Sequence, residues 1–162
     1  IYVAVGQKAS SIAGVVRKLE EHGALDHTII VAAAASESAA MQYIAPYAGC
    51  SMSEYFRDKG LRVNLMMDSL TRFAMAQREV GLALGEPPTT KGYTPSVFSL
   101  MARMLERAGP RAAGTITGYY SVLVEGDDMN EPIADAVRSI LDGHIVLSRD
   151  LAARKGNFRS GL

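Results

Sequence analysis

Residues 62–72 read RVNLMMDSLTR. An Arg leads into a mostly apolar run that breaks on Asp68, the pattern of a strand buried on both faces and ending in a carboxylate. In an open α/β sheet, ligands collect at the carboxyl ends of parallel strands. A hard carboxylate in that place suits a hydrated magnesium ion lying beside phosphates. The same order of residues also allows Asp68 to be no more than the cap of a helix opening at Ser69 and Leu70, and spacing alone does not choose between the two.

On the amino-terminal side, IYVAVG (residues 1–6) is a β-rich run closed by Gly, and Ile12, Val15, Val16 and Leu19 then recur at helical spacing. TIIVAAA (28–34) reads as a second buried strand. Ser36 and Glu37 open an Ala-rich helical region reaching Lys59, in which Pro46 starts a new turn or a kink. On the carboxyl side, Leu70, Phe73, Ala74, Gln77 and Leu84 mark a helix stopped by GEPP at 85–88. Val97, Leu100, Met101, Met104, Leu105 and Ala108 form an amphipathic stripe predicted to end at Gly109 and Pro110. Strands follow at 115–124 and 144–148 (HIVLS), with a helix over 133–141 between them and a frayed tail at 153–162. This alternation predicts a three-layer α/β sandwich with a mostly parallel, five-stranded sheet and right-handed crossovers.

The 162 residues, 48% hydrophobic and 21% charged, suffice for one compact domain with its own core and are too few for two. Lys plus Arg and Asp plus Glu balance at 17 each, so no global positive field recruits nucleic acid or anionic lipid, and any phosphate site must be local. No apolar run reaches membrane-spanning length and no cleavable signal opens the chain. A single cysteine, Cys50, rules out an internal disulfide and fits a reducing compartment, and the three His residues lie too far from it and from one another for a zinc cage. Ile1 stands in the middle of a strand pattern with neither Met nor a lead-in before it, which reads as an excised fragment. Asp127 and Asp128 read as a solvated acidic loop, because consecutive residues point apart. Asp142, His144 and Ser148 have no nucleophile-elbow pattern around them.

Longer words in the chain resemble known families. Within residues 1–58, IYVAVGQKASSIAGVVRKLEEHGAL and IAPYAGCSMSEYFRD resemble the nucleotide-binding domain of the rotary ATP synthase alpha subunit. From about residue 61 to 149, LMMDSLTRFAMAQREVGLALGEPPTTKGYTPSVF and VLVEGDDMNEPIADAVRSILDGHIVLSR resemble the flagellar and type III secretion export ATPase, so that 59–162 forms a second, export-type half. Because EYFRD is similar in both families, a crossover within 54–60 would be structurally quiet, and the chain reads as an engineered chimera. The resemblance implies a RecA-like P-loop NTPase core, magnesium-ATP as the parent cofactor, hexameric rings, and the cytoplasmic face of a membrane.

It also implies roles for four residues. In this superfamily the Asp that ends the central strand orders water on magnesium, and the Arg four residues later lies near the phosphates in some members. These fall on Asp68 and Arg72. Catalytic members close the first strand with Gly-Glu-Arg, whose Glu polarises the attacking water. Here the strand closes with Gly6-Gln7-Lys8, and an amide accepts no proton at neutral pH. Gln7 therefore occupies the catalytic Glu position, as in the non-catalytic alpha subunit, which binds nucleotide without turning it over. The resemblance thus makes Gln7 a nucleotide-binding residue with Lys8, Asp68 and Arg72, and no catalytic residue is assigned. Lys8 meets phosphate as a point charge or is simply solvated, and Arg72 reaches phosphate or pairs with Asp68 at the surface.

No Gly-Lys-Ser/Thr triplet occurs in the 162 residues. By the resemblance, the glycine-rich phosphate loop lies upstream of Ile1, and its strand belongs between the strands at 115–124 and 144–148. The family's trans-acting Arg would lie beyond Arg149, and Arg154 and Arg159 do not match it. Asp68 and Arg72 alone should hold magnesium-ATP weakly. The expected outcome is a core that folds with little or no hydrolysis, its bare strand edges closing on each other or pairing in a homodimer. The alternatives are a weak magnesium-ATP-binding ATPase domain and a scaffold with no ligand.

Overall fold

The structure, a computed structural model, describes residues 1–124, 126 and 128–148. Its elements in chain order are β1 (Tyr2–Gln7), α1 (Ala9–Glu21), β2 (Ile30–Ala34), α2 (Ala39–Asp58), β3 (Arg62–Asp68), α3 (Leu70–Ala83), α4 (Pro95–Leu105), β4 (Gly109–Pro110), β5 (Thr115–Tyr120) and α5 (Pro132–Ile140). One sheet takes the order β2-β1-β3-β5-β4, with β2, β1, β3 and β5 mutually parallel and β4 antiparallel to β5. The α/β class expected from the sequence is present, and the sheet has five strands as expected, but its fifth strand is β4 rather than residues 144–148.

The chain steps outward from β1 to β2 and then back across β1 to β3. Two right-handed crossovers in opposite directions put their helices on opposite faces of the sheet. On the α2 face, Val3, Val5, Leu65, Met67 and Ile116 meet Phe73, Leu70, Val97, Met101 and Met104, each at most 4% exposed. Burying each of these side chains contributes roughly 1.5–3 kcal/mol. Helix and strand approach closely at Gly49, where a Cβ would stand 2.3 Å from Val3 Cγ2. Helix α2 is continuous through Pro46, which is itself buried. Ser38 accepts a hydrogen bond from the Met41 amide at 3.3 Å, so the helix opens two residues after the predicted Ser36. At the far end of α2, Arg107 forks onto Glu54 at 2.8 and 2.6 Å and fixes the exit of α4. These hydrogen bonds hold the Glu54 carboxyl below the ordinary carboxylate range.

Several expectations need correction. Strand β3 is not buried on both faces: Val63, Leu65 and Met67 are covered while Arg62, Asn64 and Met66 are exposed. Helix α1 packs on β1 and buries none of its own residues, so the third layer stops short of β3. Strand β2 is an edge rather than a buried strand, and only Ala33 on it is buried, because its one neighbour is β1. Helix α4 stops at Leu105, and Gly109 (φ +116°) and Pro110 turn back as the short strand β4. Residues 144–148 form no strand, and Ile145, Val146 and Leu147 are 88%, 69% and 86% exposed. Their β-favouring side chains find no ladder, because the side of β5 away from β3 is met only at Thr115 and Ile116. The closing of this segment onto β5 is therefore not what the fold does. The acidic residue Asp127, the tail at 153–162, and Arg149, Arg154 and Arg159 lie outside the described residues.

Candidate functional site

Asp68 stands at the carboxyl end of β3, between β1 and β5, on the side of the sheet where parallel strands collect ligands. It does not cap α3. That role belongs to Ser69, whose hydroxyl accepts the Arg72 amide at 3.2 Å. The Asp68–Ser69 peptide bond is cis. The Asp68 carboxylate is left free of the helix and turns toward its neighbouring strands.

Gln7 reaches it from β1. Val5 pairs with Ala33 and Gln7 with Ala34, so Gly6 is one residue too many for the ladder, and the strand bulges there. Gly6 takes φ +64°, in the left-handed region that Gly enters without steric cost. A Cβ at Gly6 would also stand 2.9 Å from Gln42 Oε1 and 3.2 Å from Arg72 Cδ. The bulge breaks the strand's alternation and aims the Gln7 side chain back at β3. There its Nε2 donates to Asp68 Oδ2 and, at 3.4 Å, to the Asp68 carbonyl. An ionised carboxylate only accepts, so the amide must present its nitrogen.

From β5's carboxyl end, Ser121 Oγ donates to Asp68 Oδ1 at 2.5 Å. Tyr2 lies close enough for the Asp68 charge, after burial, to raise its hydroxyl above the ordinary tyrosine range. A cleft of about 1400 Å³ opens beside these groups, bounded by Tyr2, Met66, Asp68, Tyr119 and Ser121 and, opposite, by 144–148.

Of the residues singled out in the sequence, Gln7 and Asp68 are thus brought into contact. Arg72 lies against Gly6, one residue away, and its side chain is exposed. It forms no ion pair with Asp68; the ion pairs among the described residues join Arg57 to Asp58, Lys91 to Asp128 and Arg107 to Glu54. Lys8 is exposed at the start of α1, where its carbonyl, not its ammonium group, meets the Ser11 and Ile12 amides at 2.9 and 3.2 Å. Ser121, Gly6 and Tyr2 had no role in the sequence reading. Ser121 was findable in principle, since a parallel strand beside β3 must end near Asp68.

Both Asp68 oxygens already accept a hydrogen bond, and each keeps room for one more donor. Water bound to a divalent cation is such a donor, so Asp68 fits magnesium held through water. No group of three or more His, Cys, Asp or Glu side chains among the described residues could enclose a metal ion. The donor set is that of a cation shared with phosphate oxygens and water, not of a protein cage.

The sequence profile of the ATP synthase alpha/beta family, nucleotide-binding domain, matches residues 1–157. The flagellum-specific ATP synthase of Bacillus subtilis (strain 168) is 56% identical over 154 residues, which is 95% of this chain and 35% of that protein. ATP synthase subunit alpha of Francisella tularensis subsp. novicida (strain U112) is 47% identical over 177 aligned residues, covering all of this chain and 33% of that one. A solved ATPase from the type III secretion system of pathogenic bacteria superposes with a TM-score of 0.90 at 44% identity, over 94% of this chain and 44% of that one. The chain thus spans about a third of the length of its curated relatives. On the match over residues 1–157, the chain belongs to the ATP synthase alpha/beta family and lies in its nucleotide-binding domain.

Proposed function

We propose that these residues form the magnesium-facing part of a nucleotide-binding domain whose whole protein binds ATP and couples its hydrolysis to protein export or rotation. In that protein the domain would sit in a hexameric ring at the cytoplasmic face of a membrane. The observation that carries the reading is the Asp68 carboxylate at the end of the central strand, held by Gln7 and Ser121 beside an open cleft. Magnesium bound there would neutralise charge on the nucleotide phosphates. Asp68 would orient water on the ion, and Arg72 and Lys8, exposed near the same strand ends, would supply local positive charge toward phosphate.

Turnover is a separate matter. Gln7 donates its amide hydrogen to Asp68 and accepts no proton, so no side chain at this position takes a proton from water. Within these 162 residues no Gly-Lys-Ser/Thr cradle supplies phosphate affinity either. The expected result of a phosphate-release assay on this chain with magnesium-ATP is the rate of buffer alone. Sustained release that Asp68→Ala stops would contradict it and favour a working ATPase domain.

A junction between two families is not required to explain the chain, since one flagellar relative spans 95% of it and one alpha subunit all of it. A chimera remains the reading that the two sets of words support on their own. The edge of β5 beyond Ile116, which β4 does not reach, with Met66 and Tyr119 exposed at 36% and 55% on the adjoining face, supports self-association of the isolated chain. Sedimentation velocity should show a dimer growing with concentration. A single monomer boundary throughout would remove this part of the proposal.

A further inference from the structure

We propose that Ser121 is a positioning residue that fixes the Asp68 carboxylate for a hydrated divalent cation, an inference that rests on reading Asp68 as the magnesium-facing group. The Ser121 side chain sits on a backbone that is itself clamped. Its N–H donates to the Met67 carbonyl at 3.0 Å and its carbonyl accepts the Leu70 amide at 2.9 Å, so these two bonds straddle Asp68 and Ser69. Two residues further on, the Leu123 amide donates to Thr71 Oγ1 at 2.9 Å. The segment after β5 is thereby zipped to the start of α3, and the Ser121 hydroxyl is presented to Asp68 Oδ1 in a fixed direction.

Gln7 holds Oδ2 from the other side, so strands β1, β3 and β5 each contribute one corner of the carboxylate's setting. A carboxylate with one donor on each oxygen has lost its rotation about the Cβ–Cγ bond. Its remaining lone pairs then point to one place, which is the condition for ordering water on a cation. Ser121 itself is exposed, and its anchors are backbone groups that Ala retains. Removing the hydroxyl therefore leaves the carboxylate held from the Gln7 side alone, without disturbing the fold.

The test compares wild type, Ser121→Ala and Ser121→Thr. In the ligand-free chain, the Asp68 carboxyl carbon resonance should move in Ser121→Ala and return in Ser121→Thr. Calorimetric titration with ATP, with and without magnesium, should show the magnesium-dependent gain in affinity falling roughly tenfold in Ser121→Ala, as expected for a hydrogen bond to a charged group. Affinity without magnesium and the thermal midpoint should not change, and Ser121→Thr should restore the gain. A merely structural serine would lower the midpoint and both affinities together, which overturns the inference. So does a Ser121→Ala chain with wild-type resonance and wild-type magnesium dependence. If the wild-type chain itself shows no magnesium-dependent ATP binding, the Asp68 reading falls and takes this inference with it.

Discussion

Replacing Phe73 by Ala is expected to lower the folding free energy by about 3–5 kcal/mol. Phe73 is fully buried on α3, stacked on Tyr43 at 6.1 Å between ring centroids and edge-on to Tyr47 at 5.8 Å, both from α2. Removing the ring costs its transfer free energy and leaves a void lined by two rings that α2 holds in place, so collapse is limited. Aromatic pairing adds roughly 0.5–1.5 kcal/mol per contact beyond burial. The consequence reaches the site, because Phe73 lies in the first turn of α3, next to Arg72 and one turn after the cap Ser69. Urea unfolding followed by far-ultraviolet circular dichroism measures the loss. A change below about 1 kcal/mol would mean that α2 and α3 do not pack through this ring.

The second large effect concerns Asp68→Ala, and it is expected in binding rather than in stability. Gln7 is half-buried and Ser121 exposed, so water can replace the lost acceptor for both donors. The fold should lose on the order of 1 kcal/mol. The magnesium-dependent part of ATP affinity should vanish, because Asp68 is the carboxylate that ends the central strand and no cluster of three or more His, Cys, Asp or Glu among the described residues could hold the ion in its place.

What the sequence made legible were features set by local chemistry. The stripe of Val97, Met101, Met104 and Leu105 is buried as its helical spacing requires, and Asp68 does end the central strand. What it hid depends on partners distant in the chain. Residues 144–148 have strong strand-forming side chains, yet a strand exists only where a neighbour supplies hydrogen bonds, and residue type does not reveal that neighbour. Strand β3 passed for doubly buried because Met66 is apolar; its exposure follows from how far α1 extends across the sheet. Gln7 stands out in the sequence as a nucleotide-side residue in place of a catalytic Glu, not as a partner of Asp68. Its hydrogen bond to Asp68, 61 residues away, follows from a bulge at Gly6, which a Gly at a strand end does not by itself announce. Ser121, 53 residues from Asp68, was hidden inside a strand read four residues too long at 115–124.

The central claim is that Asp68 is the group through which this domain meets a magnesium-bound nucleotide. Calorimetric titration of the wild-type and Asp68→Ala chains with ATP, each with and without magnesium, tests it most directly. The account predicts magnesium-dependent binding by the wild type with a dissociation constant of about 1 mM, some 4 kcal/mol, and no magnesium-dependent binding by Asp68→Ala. Equal magnesium-dependent affinity in the two chains would contradict it.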